Sequence, residues 1–192
     1  THRPSADHEE RTVQAHLRGM DFTFITDAGV FSRERIDFGT QLLIEAMRFD
    51  QAAKVLDLGC GYGAIGVVAA RLAPQGYVWM VDVNERAVHL ANRNLRVNRI
   101  RNAEARAGDG LEPVRGIAFD VILTNPPIRA GKATVYRMLE EACAALKPGG
   151  SLWVVIQTKQ GAPSMKRKLT ELFGNVTDVD RKAGYHVFTA WR

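Results

Sequence analysis

The chain has 192 residues, 46% hydrophobic and 24% charged, with 26 Lys and Arg against 21 Asp and Glu and a formal charge of +5. Those proportions are ordinary for a soluble globular domain, the length suits a single domain, and no apolar run approaches the ~20 residues of a membrane-spanning helix. Two cysteines, Cys60 and Cys143, are too few for a disulfide framework or a four-ligand zinc site, so no metal is expected. Residues 1–15 are polar and charged without a secretory pattern, so a cytoplasmic location is expected. The basic balance, with a sequence pI near 9.5, suits either a polyanionic partner such as nucleic acid or a surface that only confers solubility.

Residues 1–11 read as a polar, flexible lead. Residues 12–38 alternate loosely, as in Phe22-Thr23-Phe24-Ile25-Thr26, which predicts short strands and turns. Residues 40–47 read as a helix with Leu42, Leu43 and Ala46 on its apolar side. From Lys54 the pattern becomes strand–helix alternation. Strands are predicted over residues 55–58, 77–83, 103–107, 119–124, 151–157, 176–180 and 186–191. Helices are predicted around Ile65, Val68, Ala69 and Leu72, over residues 85–97, along the stripe Val135, Met138, Leu139, Ala142, Cys143 and Leu146, and around Met165, Leu169, Leu172 and Phe173. Lys147-Pro148-Gly149-Gly150 stops the third of these. Such alternation implies an α/β fold with a mainly parallel sheet and helices on both faces. Ligands then bind beyond the carboxyl ends of the strands, where Asp57, Asp82, Asp109 and Asn125 fall.

Asp57-Leu58-Gly59-Cys60-Gly61-Tyr62-Gly63 joins a strand to a helix through alternate glycines, which permit a tight turn and close approach of a ligand to the backbone. Gly61, Gly63 and Gly66 also fit the GxGxxG pattern of dinucleotide binders, so an NAD-dependent dehydrogenase is a rival reading. Asp82, ending the second strand of the alternation, offers two acceptor oxygens to the hydroxyls of a ribose, and Asn84 is the better cap for the helix that follows. Asp109, in Gly108-Asp109-Gly110, can accept from an adenine amino group or simply form a turn. Thr124-Asn125-Pro126-Pro127-Ile128 follows the fourth strand. Two prolines beside a central strand sacrifice ladder hydrogen bonds. They fix an extended backbone and leave its carbonyls without competing donors. The side-chain oxygen of Asn125 and the carbonyl of Pro126 can then accept both N–H bonds of one planar amino group. That favours pyramidalisation and aims its lone pair at a methyl donor.

Together these motifs resemble the class I S-adenosylmethionine-dependent methyltransferases that act on amino groups. Gly29-Val30-Phe31-Ser32, Asp37-Phe38-Gly39-Thr40-Gln41-Leu42-Leu43 and Asn125-Pro126-Pro127-Ile128-Arg129-Ala130-Gly131-Lys132 resemble the stand-alone members of the "methyltransferase small" domain family, relatives of ribosomal-RNA guanine 2-amino methyltransferases. The resemblance covers residues 12–192 and implies a Rossmann-like, seven-stranded sheet with one antiparallel strand, residues 186–191. It divides a single domain, residues 1–192, into strands and a helix that cap the cofactor site (residues 12–52) and a cofactor-binding core (residues 53–192).

The resemblance also assigns roles. Asp57, Gly59, Gly61 and Gly63 would line the methionine side of S-adenosylmethionine, with Thr40 helping to cover it. Asp82 would hold the ribose and Asp109 the adenine. Asn125, with Pro126 and Pro127, would hold the target amine next to the cofactor. Ile128, Arg129 and Lys132 would meet the substrate, and Ile128 stands where many amino methyltransferases have an aromatic residue. The implied activity is methylation of an exocyclic amine of RNA, a guanine 2-amino group of small-subunit ribosomal RNA, on free RNA or a ribosomal subunit. No membrane is involved, and the oligomeric state is open with a monomer favoured. A protein glutamine-carboxamide methyltransferase, another RNA or DNA amino methyltransferase, and a binding module without catalysis are the other readings. Arg93, Arg96, Arg99, Arg101 and Lys166-Arg167-Lys168 are either phosphate contacts or solvated faces. The scattered histidines, His186 among them, are read as surface or pairing residues.

Overall fold

The structure is a computed structural model in which residues 9–27 and 36–192 are described. Gly29-Val30-Phe31-Ser32 lies outside them. A two-stranded antiparallel hairpin, β1 (Glu10–Leu17) and β2 (Met20–Asp27), leads into helix α1 (Phe38–Ala46). Then come β3 (Lys54–Leu58), α2 (Ala64–Leu72), β4 (Tyr77–Asp82), α3 (Glu85–Val97), β5 (Ala103–Ala107), β6 (Phe119–Thr124), α4 (Lys132–Ala145), β7 (Leu146–Gln157), α5 (Ala162–Phe173), β8 (Thr177–Lys182) and β9 (Tyr185–Trp191). The seven later strands form one sheet in the order β5-β4-β3-β6-β7-β9-β8, in which β9 runs antiparallel to both neighbours. This is the expected architecture.

Helices α1, α2 and α3 cover one face, where Leu43, Ile44, Val67, Val68 and Leu90 are buried with Val55 and Met80 of the sheet. Helices α4 and α5 cover the other, where Val135, Leu139, Met165 and Leu169 meet Leu56, Ile122 and Val154. Central strands β3 and β6 are buried on both faces, as a parallel sheet sandwiched by helices requires. Among the described residues no helix is long and apolar enough to cross a membrane.

Several expected boundaries move by one or two residues, and two shifts have a visible cause. Glu10 and Arg11 already belong to β1, because the Glu10 carboxylate takes hydrogen bonds from Arg86 at 3.1 Å and Arg93 at 2.5 Å. Strand β7 starts at Leu146, five residues early: Leu146 pairs with Phe119 before a register shift, and Gly149, at φ +83°, carries the chain through it.

The hairpin stands apart from the main sheet and docks on α3 through two buried asparagines one turn apart. Asn94 accepts from Ile25 N–H at 2.7 Å and donates to Ile25 O at 3.0 Å. Asn98 repeats the pair with Thr23, at 3.0 and 2.8 Å. Four helical residues rise ~6 Å, close to the ~6.8 Å between alternate residues of a strand. The side-chain amides therefore act as a third strand for β2. Arg18, in the hairpin turn, donates to Ile44 O and Met47 O and so satisfies the carboxyl end of α1.

Candidate active site

Of the polar residues picked out by sequence, Asp57, Asp82 and Asn125 lie at the carboxyl ends of β3, β4 and β6, while Asp109 follows β5. Gly59, Gly61 and Gly63 have φ of +74°, +55° and +101°, the left-handed region that only glycine enters freely. Gly59 N–H and Cys60 N–H both donate to Val81 O at 2.9 Å, and Gly61 N–H donates to an Asp82 carboxylate oxygen at 2.9 Å. A Cβ on Gly61 would meet nothing within 4 Å, so that backbone faces an open cradle. Gly66 serves packing instead. A Cβ there would collide with Met80 Sδ, and its N–H donates to Asp57 Oδ2 at 2.8 Å.

Asp57 is fully buried and its Oδ1 has no partner. Burial, reinforced by the Asp82 carboxylate and opposed by the Gly66 N–H, pushes its carboxyl up to about 7. Cys60 is buried, and burial pushes its thiol far up. Cys143 is only half-buried, at the margin of the α4 stripe rather than within it. The second oxygen of Asp82 takes Asn84 N–H at 2.9 Å, and Asn84 caps α3.

Asn125 lies just past β6. Its Nδ2 donates to Thr40 Oγ1 at 3.1 Å and to Asp37 Oδ2 at 3.3 Å. A carboxylate only accepts hydrogen bonds, so this contact fixes which way the amide faces and leaves Asn125 Oδ1 free to accept. Asp37 also caps α1 by accepting from Thr40 N–H at 3.2 Å. Thr40 therefore touches Asn125 directly. Burial first, and then the Asp37 charge, raises the phenols of Tyr62 and Tyr185.

The Asn-Pro-Pro loop departs from expectation in one respect: Pro126 O already accepts Ile128 N–H at 2.9 Å. The loop tightens into a turn of 3-10 helix over Ile128–Ala130, which brings that donor back onto the carbonyl. One lone pair of Pro126 O remains. Pro127 Cδ sits 3.8 Å from where a Gly59 Cβ would be, so the two loops approach one another. Ile128 is half-buried against the α4–α5 core, while Arg129 and Lys132 are exposed.

Other expected contacts are partly committed elsewhere. The Asp109 carboxylate holds Arg137 at 2.8 Å, and Arg137 also holds Glu141. Lys168 is tied to Glu140 at 2.9 Å, which removes it from any row of phosphate contacts. Arg93 is paired with Glu10 at the surface. His186 is a pairing residue, set between Asp178 and Thr158 at 2.9 Å each. A cavity of about 850 Å³ runs along α4 from Asp109 to Arg192 and meets the site only at Asp109. Its charges are largely paired: Arg137 with Asp109 and Glu141, and Lys147 with Asp120.

Sequence reasoning did not find the role of Asp37. It lies 88 residues from Asn125, and an acidic residue ahead of a helix reads only as a cap.

The chain is similar in sequence and fold to known proteins. The profile of the methyltransferase small domain matches residues 21–189. The uncharacterized protein YbxB of Bacillus subtilis is 45% identical over 190 residues, 98% of this chain and 94% of YbxB. Ribosomal RNA large subunit methyltransferase G of Streptomyces avermitilis is 39% identical over 168 residues, 85% of this chain and 43% of that protein. The 16S rRNA N2 methyltransferase RsmC of T. thermophilus, solved with AdoMet and guanosine, superposes with a TM-score of 0.85 at 30% identity, over 95% of this chain and 50% of that one. The chain thus spans nearly all of YbxB and about half of the two ribosomal RNA methyltransferases. Profile, relatives and fold agree, and the chain belongs to the methyltransferase small domain family, with the class I methyltransferase fold.

Proposed function

We propose that this chain is an S-adenosylmethionine-dependent methyltransferase of ribosomal RNA that modifies a guanine 2-amino group, in the small subunit, in the cytoplasm. The observation that carries this reading is the anchored amide of Asn125, whose Oδ1 is left free as an acceptor. The relatives named for ribosomal RNA methylation, in both large and small subunits, support the substrate class.

The residues present fit the cofactor. The fully buried Asp57 carboxyl has an unpartnered oxygen for a cationic amine. Gly61 presents bare backbone to an open cradle. Asp82 oxygens, although they hold two backbone N–H groups, keep lone pairs for hydroxyls. When bound, S-adenosylmethionine supplies an electrophilic methyl group on a sulfonium. The chain's own residues position the acceptor. Asn125 Oδ1 and the remaining lone pair of Pro126 O accept the two N–H bonds of an amine whose lone pair is otherwise delocalised into its base. Thr40 and Asp37 hold the amide still while they do so. Alignment of this kind can supply roughly 7–11 kcal/mol of a barrier.

Incubation of the chain with methyl-labelled S-adenosylmethionine, each ribosomal subunit and free ribosomal RNA, followed by nucleoside analysis, tests this. N2-methylguanosine from small subunits is expected. Label in the large subunit moves the target, and label in protein glutamine supports the carboxamide reading instead. Calorimetry with NAD is expected to show no binding.

A further inference from the structure

Asn125 divides the carboxyl end of the sheet. The glycine loop and Asp82 lie on its β3–β4 side, so a bound cofactor leaves the β7–β9 side to the acceptor. On that side Phe38 opens α1. It is 37% exposed and leans on Tyr185 with ring centroids 5.5 Å apart at 54°. Tyr185 pairs with Gln157 at the carboxyl end of β7. It fits under α1 only because residue 39 is glycine: a Cβ there would lie 2.7 Å from the Tyr185 ring. Phe38 adjoins Asp37, whose carboxylate holds Asn125. The other large apolar side chains exposed among the described residues lie elsewhere. Val83 adjoins Asp82 on the cofactor side, Val97 ends α3, and Val179 and Trp191 lie on β8 and β9. Ile128 has no π-face and is half-buried in the α4–α5 core. Arg129 and Lys132 on one flank, and Lys159 and Lys182 on the other, are exposed and have no acidic partner among the described residues.

We infer that Phe38, backed by Tyr185, is the wall on which the nucleobase presented to Asn125 stacks, a role that rests on the RNA methyltransferase reading above. The two contacts are complementary. Asn125 reaches an amino group along the edge of the base, in its plane, whereas an aromatic ring covers its face. An unpaired or flipped nucleotide needs a partner for the face it has exposed, and an aromatic ring provides one whatever the base.

The test uses the whole chain, methyl-labelled S-adenosylmethionine, and ribosomal subunits from cells that lack this protein. Phe38→Ala should raise KM for the subunits by about 5- to 100-fold, the range for losing one base–aromatic stack. Melting temperature and affinity for S-adenosylhomocysteine should stay near those of the parent. Phe38→Leu fills the same space against Tyr185 without a π-face and should share the defect, whereas Phe38→Tyr should restore KM. A leucine variant with the parent's KM overturns the stacking role, as does an alanine variant whose loss falls on S-adenosylhomocysteine affinity alone. Failure of the parent chain to methylate either subunit or free RNA overturns the RNA reading, and the stacking role with it.

Discussion

The Asp37 carboxylate accepts a hydrogen bond from the Asn125 amide at 3.3 Å, across 88 residues of sequence, and so decides which face of that amide looks outward. Asn125→Ala should lower turnover by about 10²–10³, the usual cost of one aimed contact in a dry site. Stability should change little, because the residue is half-buried in a loop. Asp37→Asn caps a helix equally well but offers a donor as well as an acceptor, so Asn125 can turn over. A fall in kcat of about 10- to 100-fold, the worth of a hydrogen bond to a charged group, is expected with an unchanged melting temperature. Asn125→Asp sets two carboxylates face to face, so its residual activity should fall as pH rises and both ionise. Single-turnover rates and melts of the three variants check this.

Asp57 makes stability depend on pH. Its carboxyl titrates from the ordinary 3.8 in the unfolded chain and from about 7 in the folded one. Between those values the folded chain holds a proton that the unfolded chain has lost. The contribution of Asp57 is therefore full below about pH 4 and drains away as pH rises through 7, at about 1.4 kcal/mol per pH unit. Asp57→Asn keeps a neutral acceptor for Gly66 N–H and should flatten that slope in urea denaturation between pH 4.5 and 8. An unaltered slope would assign the effect to other groups.

Asn94→Ala strands Ile25 N–H, Ile25 O and Tyr62 O, all partners of one buried side chain. A loss of about 2–5 kcal/mol is expected, given the cost of each unsatisfied buried group. Amide exchange should quicken first at Thr23 and Ile25. Retained protection there would mean that apolar contacts alone hold the hairpin.

RNA affinity should fall steeply with salt, and charge reversal at Lys132 and Lys182 should reduce the log–log slope by roughly one for each phosphate no longer neutralised. Lys168→Glu should instead act through stability, since Lys168 is already held by Glu140. A slope the same in all variants would place the phosphates elsewhere.

The elements most legible in sequence were those whose pattern is set by burial on a regular lattice. Helix α3 and strands β5 and β6 have the boundaries that their apolar spacing predicts, and Asn84 caps α3. The glycine loop, Asp82 and Asn125 were legible because their residue types are restricted by backbone angle or by place at a strand end. What stayed hidden depends on residues far apart. Asp37 and Asn125 meet only when α1 crosses the sheet, and Phe38 meets Tyr185 only because Gly39 lets the ring beneath α1. The early start of β7 was hidden by Pro148, Gly149 and Gly150, which read as a loop and form an irregular stretch of strand instead. The Asn94–Asn98 spacing was visible, but polar residues on a helix ordinarily mark its wet side. Here they mark the side that meets bare backbone.

That last feature bears on self-association. An unpaired strand edge is a template for other chains, and a lone hairpin has two. On β2 the groups of Thr23 and Ile25 that a foreign strand would seek are already occupied by Asn98 and Asn94. The main sheet guards its borders by another means: β5 carries the Glu104–Arg106 pair and β8 carries Asp178, Asp180, Arg181 and Lys182. A variant that replaced Asn94 and Asn98 with leucines would keep an apolar seat for the hairpin yet reopen that edge. It should cost the protein its solubility on heating sooner than its fold.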